Sequence, residues 1–220
     1  MKRLYVVVEG QAEQSFVKEV LAPCLWSRGD VSVVPILIKT GRIGRGGFVN
    51  FHHLKDMVLG LLSNKKATDL IVTTFVDFFR IPSNVPGYAE SMLKGADASK
   101  ADALQEAMSE VIKDRRFVPY IQLHEFEALL FSNNSGFEYL WDNSQYSKTC
   151  EIIISYPNPE DINSGPSTAP SKRLINIKPD YNKVIEGNLI ALQVGINDMI
   201  NKCPRFAKWI ESLVDLVNCA

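Results

Sequence analysis

Acidic side chains follow three predicted strands at the points where those strands end. Glu9 follows a short β-branched run, Asp77 follows a second one, and Glu125 comes after a third through His124. In a parallel α/β sheet, ligands bind where the carboxyl ends of the strands meet. Carboxylates suit a hard cation such as Mg²⁺ or Mn²⁺, which can hold a phosphate and activate water for in-line attack. We therefore expect Glu9, Asp77 and Glu125 to be metal ligands and catalytic residues.

Three other side chains near these strand ends are secondary candidates. Glu13 lies close behind Glu9, while His124 and Glu127 flank Glu125. On a helix start, Glu125 and Glu127 point about 200° apart, so we favour Glu125 as the ligand and assign Glu127 to a cap or a supporting contact. His124 is either a general acid or phosphate donor or a structural histidine. Any single acid after a strand is commonly a helix cap or a solvated turn residue, but three at separate strand ends favour a site.

A glycine-rich basic loop follows the second predicted strand. Lys39, Arg42 and Arg45 lie among four glycines between residues 39 and 47, and this stretch contains no acid. It is not a Walker A loop, because no Gly-Lys-Ser/Thr closes it. A loop of this kind can follow a nucleic-acid backbone, so these three cations are candidate DNA or RNA contacts. The alternative is a solvated surface loop.

The elements that must position these side chains alternate between strands and helices. Apolar runs predict buried strands, and apolar residues at helical spacing predict the helices between them. We expect strands at 4–8, 31–38, 70–76 and 118–123, and helices at 11–21, 49–62, 97–114 and from 125. This alternation is typical of an α/β fold with a parallel-sheet core covered by helices. Two later amphipathic helices, around 189–200 and 204–217, indicate a helical C-terminal completion. We expect one domain over 1–220, with the α/β core at 1–131 and a mainly helical extension at 132–220.

Composition and charge exclude several classes of protein. The 220 residues carry 24 Lys and Arg against 25 Asp and Glu, and 46% are hydrophobic. Such a chain is too apolar and too balanced to be disordered, and it lacks the global positive field of a histone-like protein. No run approaches the roughly 18 apolar residues of a membrane span. The four cysteines are scattered, without ligand or redox spacing. We expect a cytoplasmic protein with no membrane association.

The stretch Val8–Glu13 resembles the opening motif of TOPRIM domains. In both, a hydrophobic strand is followed by a Glu-Gly turn and a second Glu four residues after the first. TOPRIM domains occur in topoisomerases, primases and overcoming-lysogenization-defect nucleases. The resemblance implies that Mg²⁺ (or Mn²⁺) is bound by Glu9 and by an Asp-x-Asp pair after a later strand. Here that pair is reduced to Asp77, because Phe79 stands at the second position.

The whole chain resembles an uncharacterised family of small TOPRIM-like proteins. Members are often encoded beside an AAA or SMC-type ATPase in prokaryotic defence or mobile loci. The matching stretches are 8–13, 76–82, 120–131, 165–173 and 203–209. The resemblance implies a TOPRIM-like fold, an ATPase partner, and a phosphate contact from Lys172 or Arg173, of which Lys172 is favoured. Beside a helix N-terminus, such a cation offsets transition-state charge, although a surface pair near a turn has the same sequence.

Two functions remain open. The first is a Mg²⁺- or Mn²⁺-dependent nuclease that hydrolyses nucleic-acid phosphodiesters and acts as the effector of an ATPase-coupled defence system. The second is a catalytically silent regulatory or sensor subunit of a partner ATPase, which the loss of the second Asp at Phe79 favours. A small-molecule phosphotransfer enzyme ranks last, because the sequence offers no nucleotide-cradling loop.

Overall fold

A parallel β-sheet with helices on both faces forms the centre of the protein in a computed structural model. The structure describes residues 1–38, 47–162, 165 and 167–219. The strands are β1 (Lys2–Val8), β2 (Val31–Leu37), β3 (Leu70–Asp77), β4 (Phe117–Val118) and β5 (Ile121–Gln122). Their order is β2-β1-β3-β4, with β5 also paired to β3, and all pairs are parallel. The predicted α/β fold class, with a helical C-terminal completion, is confirmed.

The helices surround this sheet and make up most of the chain after residue 125. They are α1 (Gln11–Phe16), α2 (Ala22–Trp26), α3 (Phe51–Leu61), α4 (Tyr88–Met92), α5 (Asp97–Ile112), α6 (Ser135–Leu140), α7 (Asn143–Ser155), α8 (Pro170–Ile177), α9 (Glu186–Val194), α10 (Ile196–Lys202) and α11 (Pro204–Asn218). A π-helical segment, Val17–Leu21, joins α1 to α2, and 3₁₀ segments span Phe126–Ser132 and Pro159–Asp161. Within the described residues, no helix is long and apolar enough to cross a membrane.

The positions of the strands follow from their sequences. The side chains of β3 are buried along nearly its whole length, as expected for a central strand covered on both faces. β2 lies at the edge, where Pro35 is tolerated because an edge strand needs no donor on its outer side. The register pairs Val8 with both Leu37 and Phe75, so β1 and β2 end at the same level and β3 extends two residues further, to Asp77. Residues that follow them are therefore brought to one edge of the sheet.

Each sheet face has its own hydrophobic core. One core includes α3 and α5, and the other includes α1, α9 and α11. In the second core, the rings of Phe75, Tyr120 and Trp209 stack nearly parallel, with Tyr120 and Trp209 centroids 4.4 Å apart. The Trp209 indole N–H donates to Thr73 Oγ1 at 2.9 Å, which satisfies its polar edge. The C-terminal helices are thus packed directly against the sheet.

Three predicted elements differ in detail. The helix predicted at 11–21 does not end before Pro23, a residue that normally stops a helix: it continues through the π-helical segment into α2, and Pro23 lies in the first turn of α2. The fourth strand is split into β4 and β5, because Pro119 lacks a donor. The helix expected around 189–200 is two helices, since Gly195 adopts a φ of 75° between them.

Candidate functional site

An open cleft of about 940 Å³ lies at the carboxyl ends of β1, β2 and β3. Its floor is the Glu9–Glu13 turn and Asp77, and one wall is the apolar end of the edge strand, residues 35–38. Lys183 and Val184, from the turn before α9, form part of the opposite side. This is the edge of the sheet at which the predicted acids were expected to meet.

Glu9 and Asp77 are held together by hydrogen bonds to the backbone. Glu9 Oε1 accepts from the Asp77 amide at 2.6 Å, and its Oε2 accepts a longer bond from the Phe48 amide at 3.4 Å. Asp77 Oδ1 accepts from the Phe126 amide at 2.8 Å. Each carboxylate therefore fixes the strand or segment next to it, while Asp77 Oδ2 has no hydrogen bond from these amides.

Lys183 lies between carboxylates that come from three different elements. Its Nζ is 2.9 Å from Glu13 Oε1, 3.1 Å from Glu127 Oε2 and 3.6 Å from Asp77 Oδ2. The side chains of Glu13 and Glu127 are almost fully buried, whereas that of Lys183 is 34% exposed. We call Glu9, Glu13, Asp77 and Glu127 the acidic cluster. Lys183 links Glu13, Asp77 and Glu127, and Glu9 is joined to them through the Asp77 amide.

The sequence favoured Glu125 over Glu127 as a metal ligand, but the structure places Glu127, and not Glu125, beside Lys183. Glu125 Oε2 accepts from the Ser171 amide and its Oε1 from the Ser171 hydroxyl, both at 2.9 Å. Glu125 thus binds the first turn of α8, and Glu127 joins the acidic cluster instead. The assumed helix does not begin at Glu125, which is extended, with φ −143° and ψ 159°. The 3₁₀ segment begins at Phe126, so the expected relation between the two side chains does not apply.

The other predicted polar residues lie away from the cluster. His124 is buried, its Nε2 is 2.9 Å from the Glu160 carbonyl oxygen, and burial lowers its pKa. Arg173 donates to the Thr168 carbonyl and stacks on the Tyr156 ring. Lys172 lies on α8 and is not among the residues that line the cleft. The predicted nucleic-acid contacts Lys39, Arg42 and Arg45 lie outside the described residues.

The cluster brings four carboxyl groups together with one ammonium group. Burial raises the pKa of Glu9 from 4.5 to about 7. Burial also raises the pKa of Asp77, well above its usual value, and that of Glu127. For Lys183, burial acts to lower the pKa, but the attraction of Asp77, Glu127 and Glu13 outweighs it, so this pKa is raised well above the ordinary value. One lysine therefore stabilises its neighbours without balancing four carboxyl groups.

The donor set suits a hard divalent cation in its chemistry. Its oxygens are carboxylates, and Glu127 Oε1 is buried without a hydrogen-bond partner among the described residues. Among all the residues that the structure describes, no group of three or more His, Cys, Asp or Glu side chains has a geometry ready to hold a metal ion. Lys183 Nζ lies between the oxygens of Glu13, Asp77 and Glu127 in this arrangement.

The family model described as "Domain of unknown function (DUF4276)" matches residues 8–214. The chain belongs to this family. Among solved structures, it is similar to the C-terminal region of the Burkholderia pseudomallei OLD protein, with 16% identity, coverage of 97% of this chain and 99% of that one, and a TM-score of 0.46. It is also similar to the C-terminal region of the Xanthomonas campestris pv. campestris OLD protein, with 12% identity, coverage of 97% and 98%, and a TM-score of 0.40. No curated protein matches the sequence.

Sequence reasoning missed Lys183. It lies in the turn between α8 and α9, far along the chain from the strand ends, and no motif marks it. The only available signal was indirect: four acids gathered at one edge require a compensating cation. Composition could not say which of the lysines and arginines supplies it.

Proposed function

We propose that the chain is a Mg²⁺- or Mn²⁺-dependent nuclease that hydrolyses nucleic-acid phosphodiesters at the acidic cluster. The observation that carries this proposal is that Glu9, Glu13 and Asp77 line a solvent-accessible cleft, while the buried Glu127 is joined to them through Lys183. Carboxylates this close together are costly to charge unless cations are present. A purely structural cluster would also not need to line an open cleft of this size.

Glu9 and Asp77 are the residues that would hold the cation. The acid expected from Glu125 is instead supplied by Glu127 or Glu13, because these two lie within 3.1 Å of the same ammonium group. When bound, a divalent cation polarises the phosphate and lowers the pKa of a coordinated water. The protein's own contribution is to fix the carboxylates through the backbone amides of Asp77 and Phe126 and so pre-organise the site.

Lys183 takes the role that the sequence suggested for Lys172. Lys183 lines the cleft, and about a third of its side chain is exposed, so its ammonium would reach a phosphate oxygen once it turned from its carboxylate partners into the cleft. Glu125 anchors the α8 N-terminus through Ser171 and is a positioning residue. The resemblance to TOPRIM-like proteins encoded beside ATPases supports DNA or RNA as the substrate and an AAA or SMC-type ATPase as the partner in a defence system.

The test is a cleavage assay on plasmid, single-stranded DNA and tRNA with Mg²⁺ or Mn²⁺. The purified chain is assayed alone and with the ATPase encoded beside it, if the locus contains one. Glu9→Ala and Asp77→Ala should abolish cleavage, whereas the exposed acids Glu19→Ala and Asp56→Ala should not. Cleavage that survives both cluster variants would refute the assignment.

The regulatory alternative is favoured by one observation. The position of the second Asp is occupied by Phe79, whose amide donates to the His124 carbonyl and whose ring packs against Arg80. Phe79 therefore offers no ligand. A silent subunit would bind the ATPase and change its rate of ATP hydrolysis, with no cleavage of any substrate under any condition, and Asp77→Ala would not alter that effect.

A further inference from the structure

The contacts of Lys183 suggest what maintains the cluster when no metal is bound. Its ammonium contacts carboxylates from α1, from the end of β3 and from the 3₁₀ segment, all within 3.6 Å. Among the described residues, no other cationic side chain forms an ion pair with a member of the cluster. Without Lys183, the buried carboxylates of Glu13 and Glu127 would have no counter-charge.

Lys183 and a divalent cation would require the same oxygens. An ammonium binds as a point charge about 3 Å from its partners, whereas a small divalent cation needs oxygens at about 2.0–2.6 Å. Both cannot lie between Asp77 Oδ2 and Glu13 Oε1 at these distances. The buried, unpartnered Glu127 Oε1 is a further oxygen that Lys183 leaves unsatisfied.

The position of Lys183 allows it to leave. Its side chain is partly exposed, and its neighbours Val184 and Ile185 are exposed, so the ammonium can turn into the cleft without opening the core. The backbone of the turn is held separately, because Asn182 Oδ1 accepts from the amides of Val184 and Ile185. Rotation of the long Lys183 side chain is therefore sufficient to move its ammonium away from the carboxylates.

We propose that Lys183 is an internal counter-ion that competes with the divalent cation: it holds the acidic cluster together in the metal-free protein and is displaced from Asp77 and Glu13 when the cation binds. This inference rests on the proposed function, since it concerns the metal of that same site. Beyond the proposed function, it states that Lys183 occupies the metal position in the metal-free protein and that this competition lowers the affinity of the site for the cation. The displaced ammonium remains tethered at the cleft, where a phosphate would lie.

The experiment measures Mn²⁺ binding by isothermal titration calorimetry without nucleic acid, together with the melting temperature in EDTA. Lys183→Met should lower the melting temperature in EDTA yet bind Mn²⁺ about tenfold more tightly, because a competing unit charge is lost. Lys183→Arg keeps the charge and should bind like the wild type. Lys178→Met is the matched control: Lys178 pairs with Asp180 and Glu186 outside the cluster, so its loss should lower the melting temperature without changing Mn²⁺ affinity.

A labelling measurement on the wild type covers the case in which Lys183→Met does not fold. Mn²⁺ should speed acetylation of Lys183 by an N-hydroxysuccinimide ester, because the amine leaves its carboxylate partners. Unchanged or slower labelling at saturating Mn²⁺, or equal Mn²⁺ affinity in wild type and Lys183→Met, would overturn the inference alone. Absence of Mn²⁺ binding in every variant would overturn both proposals. Tighter binding by Lys183→Met, together with no nuclease activity in the wild type, would support the counter-ion and contradict the nuclease.

Discussion

Replacing Glu9 with Gln should stabilise the metal-free protein at pH 8, although it removes a residue of the proposed site. The pKa of Glu9 is raised from 4.5 to about 7, first of all by burial. Because the pKa is higher in the folded protein than in the unfolded chain, the folded state is favoured when Glu9 is protonated. This contribution is complete below about pH 4.5 and is lost as the pH rises through about 7.

The size of the effect follows from that pKa. Each unit corresponds to about 1.4 kcal/mol, so charging Glu9 inside the fold costs at most about 3.5 kcal/mol. Gln keeps an oxygen for the Asp77 amide and loses only the long contact to the Phe48 amide. Because the neighbouring acids titrate together with Glu9, we expect Glu9→Gln to raise the free energy of unfolding at pH 8 by only about 2 kcal/mol. This corresponds to a rise in Tm of about 4–8 °C in a protein of this size.

The assay is urea unfolding in EDTA at pH 5 and pH 8, repeated with excess Mn²⁺. Glu9→Gln should be more stable than wild type at pH 8 and close to it at pH 5. Mn²⁺ should reverse the order at pH 8, because a ligand stabilises the state that binds it and the variant has lost a ligand. Glu19→Gln, at an exposed position, should change nothing. Equal destabilisation by Glu9→Gln at both pH values would refute the reasoning, since it would show that Glu9 acts through packing.

Three further predictions concern one residue of the Glu9–Glu13 turn and two residues outside the cluster. Gly10→Ala should weaken Mn²⁺ binding several-fold in calorimetry, because an added Cβ would lie 2.9 Å from Glu13 Oε2; unchanged affinity would contradict this. Ser171→Ala should lower the free energy of unfolding by about 1–2 kcal/mol in urea, because it removes a hydrogen bond to the Glu125 carboxylate; a change within error would show that the backbone bond alone suffices. Arg116→Lys should lower the free energy of unfolding in urea by about 2–4 kcal/mol without changing Mn²⁺ affinity. The Arg116 guanidinium donates five hydrogen bonds, to one carboxylate and three backbone carbonyls, and an ammonium cannot reproduce them. An unchanged free energy of unfolding would contradict this.

The meeting of Glu9 and Asp77 could be predicted because parallel strands impose it. Both residues come at the ends of buried apolar runs, and the carboxyl ends of neighbouring parallel strands lie at the same edge of the sheet. The same rule could not decide between Glu125 and Glu127, because it does not specify where the following helical segment begins. The 3₁₀ segment begins at Phe126 rather than at Glu125, and it is Glu127 that contacts Lys183 while Glu125 binds Ser171.

Lys183 could not be predicted, for a different physical reason. Its position is set by how α8 and α9 pack against the 3₁₀ segment Phe126–Ser132 and, for α9, against α1, which depends on side-chain shapes across the core rather than on local spacing. The π-helical continuation through Pro23 was missed because a proline normally ends a helix, and only a local change in hydrogen bonding allows it to follow without a break. The break between α9 and α10 was missed because apolar residues continue at helical spacing across Gly195, whose positive φ ends the first helix.

The most direct test of a metal centre at Glu9 and Asp77 is anomalous diffraction from crystals of the protein grown with Mn²⁺. We expect an anomalous peak about 2.0–2.6 Å from carboxylate oxygens of Glu9 and Asp77, with Lys183 Nζ moved away from Asp77. A peak in the wild type that is absent in Asp77→Asn and retained in Asp56→Asn would assign the metal to these ligands. Crystals that show no peak at the cleft at saturating Mn²⁺, with Lys183 still paired to Glu13 and Glu127, would contradict the account.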